Sequence, residues 1–436
     1  MAQIRPFRAI RYSQAGSSSF GKVLAPPYDV ISTAQKKALL KNSPLNVIRL
    51  IIGNPSHEKH HSSDYVEARK VFAAWQKSEV LKRDEEPSIY IYRQVFKIDG
   101  KTYRRTGFVG LSQLMPFGKK KGGILAHEHT LSGPKADRLK LMKACHSNFS
   151  CIFSLYPDKK GVGGLLRKII NRKPDVSVAF PTDIRNEIWK VSDSGWIAQL
   201  RNKMKDETLF IADGHHRYET ALAYQAFRSR KNQGNFGNRA FDYVMMMFVA
   251  MKDPGLVILP THRMLPHKFA ASPALLLSRF SSLGEIHPYP KTPAGSAPWR
   301  WLAKLGEKRP TIGFSFDGEK IYALQFSPLV KKSELLAGLS DAQKGLDVTL
   351  LHRLILEPFF GISKEKVEEE IAFTSQASEA IQRLGKKEFG LVFFLNPTRI
   401  DQLREVALKQ ERMPQKSTYF YPKLVTGLVF NGLDSF

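Results

Sequence analysis

The chain carries 436 residues, with 67 Lys and Arg against 40 Asp and Glu, for a formal charge of +27. At 42% hydrophobic and 11% aromatic it can bury substantial cores, which excludes global disorder, and the length points to two or three domains. Two cysteines exclude a disulfide scaffold and a four-cysteine zinc site, and no run reaches the roughly 18 apolar residues of a membrane helix.

The N-terminal stretch MAQIRPFRAIRYSQ is charged where a secretory signal is apolar. No signal peptide is read, and a cytoplasmic protein without membrane association is expected. Basic residues are spread along the chain, and the densest run is Lys119-Lys120-Lys121. A nucleic-acid partner fits the charge but is not the favoured reading. Composition leaves the oligomeric state open.

In chain order, Ile4 to Leu50 reads as extended structure, a loop and a helix. The prolines of Ala25-Pro26-Pro27-Tyr28-Asp29 hold that loop out of helix, and Ser32 is an N-cap for the helical run TAQKKALLKN. Tyr65, Ala68, Val71, Phe72 and Trp75 share one face of a helix over about 64–78. Residues 88–98 and 102–111 are strands around Asp99-Gly100, a two-residue hairpin signal. After a Lys/Gly loop at 118–123, HEHTLSGPKADRLKLMKA begins extended and becomes a helix. Ser132 or Gly133 is the expected cap, with Pro134 in the first turn.

Phe149 to Tyr156 is a short buried strand. Leu209 to Ala212 is another, and it runs directly into a helix from His215 to about Arg230. A loop covers 231–239, and apolar strands cover Tyr243 to Met251 and Leu256 to Leu259. The Pro-rich stretch 286–299 reads as a linker or excursion. Beyond it come strands at 311–315, 320–326 and 391–395 and helices at about 346–358 and 363–384. The chain ends in a strand pair jointed at Pro422-Lys423. The class is mixed α/β, with domains expected at 1–265 and 266–436.

Two polar passages carry chemistry. A strand that ends in Asp213-Gly214 and opens into His215-His216-Arg217 presents the free N–H groups of a helix N-terminus, a ready anion site. Asp213 beside such a site suits a Mg²⁺ ligand or a proton acceptor, which points to phosphoryl transfer. The alternative is a helix cap with ordinary surface histidines.

In the second passage, His127-Glu128-His129 alternates in extended chain, so both imidazoles fall on one face and Glu128 on the other. Glu128 is thus a second candidate base or metal ligand, and His127, His129, His215 and His216 together suggest the alternative of a metal-dependent hydrolase. Lys135 and Arg138 fall in the first turn of the following helix, a second anion-binding terminus. Thr261-His262-Arg263 ends a strand, and Lys416-Ser417-Thr418 with Lys423 offers point charges and hydroxyls for a phosphate. Cys145 and Cys151 read as buried small residues.

The segment ADGHHRYETAL at 212–222 resembles the hallmark of a mostly bacterial family of unknown function. The blocks APPYDVIS, HEHTLSGPKADRLKLMKA, NFSCIFSLYPD, DPGLVILPTHRML, LDVTLLHRLILEP and PQKSTYFYPKLVTGLVF extend that resemblance over the chain. Gly214 to Glu219 is also similar to the phosphate-binding turn of sulfiredoxins and of the ParB-like fold, which includes free serine kinases.

That second resemblance implies a ParB/sulfiredoxin-like nucleotide-binding core with an insertion and an added C-terminal α/β region. It implies ATP or ADP with Mg²⁺, and phosphoryl transfer involving a small hydroxylated metabolite, free serine the favoured guess. By position Gly214, His216 and Arg217 match the turn, with Lys135, Arg138 and Lys416 as further phosphate contacts. Asp213, Glu128, Asp29 and His215 are the catalytic candidates, and Asp213 and Glu128 the metal ligands. His215 stands where sulfiredoxins have cysteine, so sulfinic-acid reduction is not expected. A nucleotide-gated nucleic-acid-binding protein of the same fold is the other alternative.

Overall fold

A computed structural model of the protein describes residues 3–52, 62–118, 122–231, 238–269, 272–290 and 298–434. Lys119-Lys120-Lys121, residues 232–237 of the expected loop and 291–297 of the expected linker lie outside the described residues. The protein is mixed α/β, and its contacts divide it into two units. The first comprises Met1–Ala126, Thr130–Val257 and Pro422–Phe436, the second His127–His129 and Ile258–Tyr421. Among the described residues no helix is long and apolar enough to cross a membrane.

The first unit is organised on a mixed sheet with nine strands among the described residues. Its centre is Tyr243–Ala250, whose run YVMMMFVA is apolar throughout because both of its faces are buried. Ile152–Tyr156 lies beside it in parallel and Lys101–Gln113 in antiparallel. Leu209–Asp213 pairs antiparallel with Ile152–Tyr156 and so stands one place further out. The expected hairpin is present: Asp99 (φ 48°) and Gly100 (φ 78°) turn Ile89–Ile98 into Lys101–Gln113. Two consecutive positive φ angles match the right-handed twist of the paired strands.

Ser32 caps the helix Thr33–Asn42 as expected, in a capping box with Gln35. The helix expected after the His-Glu-His passage spans Ser132–Cys145, but its N-cap is Leu131, which offers no side-chain acceptor. The N–H of the cap residue itself is satisfied from elsewhere: Leu131 N–H donates to His216 Nε2 at 2.8 Å. Tertiary packing therefore displaces the local capping signal.

The second unit is built on an antiparallel sheet. Its order is Gly284–Pro288, Ile321–Phe326, Thr311–Ser315, Leu391–Phe394, His262–Leu265 and Ala372–Thr374. Helices Pro298–Gly306 and Ala377–Gly385 contribute Leu302, Ala380 and Leu384 to a core with Met264, Val392 and Phe394.

The long helix expected over 363–384 is a correction. It breaks into Val367–Glu370, the strand Ala372–Thr374 and Ala377–Gly385. Ala372, Phe373 and Thr374 pair with the exposed edge of His262–Leu265, and that pairing outweighs local helix propensity. The terminal strand pair is a second correction. Tyr419–Tyr421 belongs to the second unit, whereas Asn431–Gly432 belongs to the first and pairs with Ser147–Asn148.

Candidate functional site

The strand Leu209–Asp213 delivers Asp213 to its end, and the helix His215–Lys231 starts two residues later. Gly214 makes the turn at φ +94°, where a side chain is strained, and a Cβ there would lie 2.9 Å from Arg217 Nε. Glycine is favoured by the positive φ, and the Arg217 guanidinium folds back over the turn. Arg217 Nη2 donates to Asp213 Oδ2 at 2.6 Å, and its Nη1 donates to the carbonyl of Cys151.

The other oxygen of Asp213 accepts from Lys423 Nζ at 2.5 Å, across 210 residues of sequence. Lys423 is held by the sheet. Gln94 donates to its carbonyl at 3.2 Å, and the fully buried Arg105 donates to the carbonyl of Pro422. Burial alone would raise the Asp213 pKa. Lys423 and Arg217 overcome that and hold it well below the usual carboxylate range. Asp213 is therefore ionised, with a cation on each oxygen.

Two further elements of the first unit approach this turn. Arg138, from the helix Ser132–Cys145, stacks its guanidinium 4.2 Å from the centre of the Tyr28 ring, bonds Asp137 at 2.6 Å and donates to the Ile51 carbonyl. Burial pushes the Tyr28 hydroxyl up to about 12, with Asp29 adding to the rise and Arg138 and Arg217 opposing it. Tyr28, Arg138 and Arg217 line a shared cavity of about 50 Å³, room for a handful of waters. Asp29 sits in the same short turn as Tyr28, exposed and with no ion-pair partner among the described residues.

Lys135 does not face this cavity. It pairs with Glu219 at 2.8 Å, and Thr130 donates to the same oxygen at 2.7 Å. Burial would raise the Glu219 pKa, but these two donors lower it. His216 is a hydrogen-bond acceptor for Leu131 N–H, and His215 is buried. Seven sequence candidates thus fall in one unit around one helix start: Asp213, Gly214, His215, His216, Arg217, Lys135 and Arg138. Asp29 joins them from the neighbouring loop.

Glu128 and Lys416 belong to the second unit and meet there, the Lys416 N–H donating to Glu128 Oε1 at 3.1 Å. His127 Nε2 lies 3.1 Å from Thr418 Oγ1. Among the described residues no group of three or more His, Cys, Asp or Glu side chains is placed to hold a metal ion. The hydrolase alternative therefore finds no ligand set. Asp213 accepts one hydrogen bond on each oxygen, from Arg217 and Lys423, and each oxygen keeps a second lone pair, so a Mg²⁺ ion held there would share the carboxylate with two cations. Burial pushes the Cys145 and Cys151 thiols up to about 12, which keeps both inert.

The family model described as a protein of unknown function, DUF1015, matches residues 4–349. The chain belongs to the DUF1015 family. No curated protein matches this DUF1015 chain. Among solved structures it is similar to a free serine kinase in complex with AMP, at 10% identity and a TM-score of 0.37, covering 74% of this chain and 94% of that one. A conserved hypothetical protein from Pyrococcus furiosus is similar at 12% identity and a TM-score of 0.35, over 74% of this chain and 100% of that one. SbnI from Staphylococcus aureus, C-terminally truncated, is similar at 12% identity and a TM-score of 0.36, over 73% and 86%.

Sequence reasoning missed the residues that place Lys423 and Arg217. Gln94 and Arg105 lie inside strands, and the Cys151 carbonyl leaves no mark in a sequence. The one available hint was Arg105 itself, a charged residue in a strand that otherwise turns apolar, and such a residue needs buried partners.

Proposed function

We infer that the first unit is a nucleotide-binding core of ParB/sulfiredoxin-like build and that the protein transfers a phosphoryl group between ATP or ADP and a small hydroxylated metabolite. Free serine is the favoured substrate. The observation that carries this reading is the Asp213–Gly214–Arg217 turn with Lys423 brought onto it. It is a helix start with a left-handed glycine, two nearly buried cations and an acid that stays ionised. Such a helix start binds phosphate oxygens through its backbone N–H groups and its dipole. Arg217 and Lys423 supply the counter-charge, and Arg138 lies behind them.

The roles of the two acids follow from their surroundings. Asp213, clamped on both oxygens, is a weak base and serves to hold Arg217 and Lys423 in place. Asp29, exposed and unclamped, suits the proton acceptor. In the forward step the substrate hydroxyl oxygen attacks the terminal phosphorus of ATP, the bond to the bridging oxygen of ADP breaks, and the hydroxyl proton passes to Asp29. Catalysis of this kind rests on positioning and charge rather than on covalent chemistry by the protein.

A phosphorus NMR assay of ATP or ADP with serine and other small alcohols tests the reading. Asp29→Asn should lower kcat by about 100-fold or more with nucleotide affinity intact, and Arg217→Ala should lose that affinity. Turnover and affinity unchanged in both variants would contradict it.

A further inference from the structure

The second unit contains a larger cavity, about 200 Å³, at one end of its antiparallel sheet. It forms where Thr311–Ser315 and His262–Leu265 begin and Leu391–Phe394 ends. Its lining carries five Lys or Arg residues against two acids. Three of the cations, Arg309, Lys331 and Arg399, come from three different segments of the chain. The fourth that matters here, Arg263, is buried with no exposed surface.

Arg263 has an incomplete set of partners. Its Nη1 donates to the Thr261 carbonyl, and its Nη2 to the carbonyls of Lys416 at 3.1 Å and Gln415 at 3.3 Å. Its Nε has no partner, and among the described residues no carboxylate forms an ion pair with it. Glu128 is the acid whose charge it feels. A buried charge without a paired counter-charge is costly, and an anion in the adjoining cavity removes that cost. A second unpartnered group lines the same space: Thr261 is 7% exposed and its hydroxyl has no hydrogen bond. Asp347, the nearest acid to the sheet end, is engaged by Thr311 N–H at 3.1 Å and Asn396 Nδ2 at 3.0 Å. It is not engaged by any of these cations in an ion pair.

We propose that this cavity binds a small phosphate monoester, with Arg263 as the buried counter-charge and Thr261 as a hydroxyl donor. The volume is below that of drug-sized pockets and suits a phosphate with a few carbons attached. A phosphate dianion in the cavity places its charge next to the enclosed Arg263 and offers oxygens to a rim cation and, once its hydroxyl turns toward the cavity, to Thr261. The site uses residues of the second unit alone and is independent of the nucleotide reading of the first.

Isothermal titration calorimetry of the full chain with glycerol 3-phosphate, inorganic phosphate and malonate tests this. The expected result is saturable, one-to-one binding of glycerol 3-phosphate, weakened about tenfold in Thr261→Val and more in Arg263→Met. Because Arg263→Met also removes three hydrogen bonds and can unfold the unit, the near-isosteric Thr261→Val carries the decision. Repeating the titration on Arg217→Ala separates the two units, and there binding should persist. Four results would each overturn the proposal: no saturable heat at millimolar ligand, malonate binding as tightly as the ester, unchanged affinity in Thr261→Val, or binding lost with Arg217→Ala.

Discussion

In the first unit Asp213 is half-buried between Lys423 at 2.5 Å and Arg217 at 2.6 Å. In the second, Asp347 is half-buried among neutral donors, and Arg263 is buried among carbonyls. Both units thus place charge-bearing side chains where water is scarce, but only the first pairs them. The first arrangement is complete in itself and opposes change. The second lacks a counter-ion, and its acid and its buried cation remain unmatched. The difference teaches that two clusters of similar composition differ in what they ask of a ligand: the first needs an anion able to share or displace Asp213, the second an anion to finish it.

The sharpest way to break the comparison is to remove one acid. Asp213→Ala strands two cations and should cost about 3–5 kcal/mol in urea denaturation, whereas Asp347→Asn removes an acid held only by neutral donors and should cost only about 0–2 kcal/mol at neutral pH. Equal losses would mean that pairing does not separate the units. Next in size is Gly214→Ala, whose Cβ meets the Arg217 guanidinium at 2.9–3.0 Å in a positive-φ position. It should cost about 1–3 kcal/mol and displace Arg217 from Asp213; a variant as stable as the wild type would show that the fold-back is not a constraint.

The smallest effect is in pH. Burial pushes the Asp347 pKa up to about 7, against Asn396, the Thr311 N–H and Arg399, all of which lower it. A carboxyl that holds its proton more tightly when folded stabilises below its unfolded pKa, and that contribution is lost as pH rises from about 4 to about 7. Asp213 runs the other way, its contribution present above the unfolded pKa and lost as pH falls below about 4. Asp347→Asn should therefore flatten the stability profile between pH 4 and 7, by on the order of 1 kcal/mol because Asp347 keeps some exposure to solvent, and leave the acid limb as it was. An unaltered profile between those limits would remove Asp347 from the comparison.

Local features were legible in the sequence. The Ser32 cap, the Asp99-Gly100 hairpin and the strand-to-helix step at Asp213 depend on residues within a few positions of one another, and each stands where the spacing places it. What was not legible is set by distant partners. The Ala372–Thr374 strand exists because an edge of His262–Leu265 needs a neighbour, and the N–H of Leu131, the cap in place of Ser132, finds its acceptor in His216, 85 residues away. The candidate site shows the same split. Its motif was readable at 213–217, but Lys423 is brought to Asp213 by carbonyl contacts from Gln94 and Arg105, more than 300 residues away in sequence. Asp347 and Arg309 gave no signal at all, since a polar residue at a sheet end looks like any surface residue until the sheet is assembled.

The central claim is that the Asp213–Arg217–Lys423 turn takes nucleotide phosphates. The most direct measurement is a thermal-shift titration of ATP and ADP, with and without Mg²⁺, on the wild type and on Arg217→Ala. At a hundredfold over the dissociation constant a bound nucleotide should add about 2.7 kcal/mol to the wild type and nothing to the variant. An equal shift in both proteins, or none in either, would contradict the account.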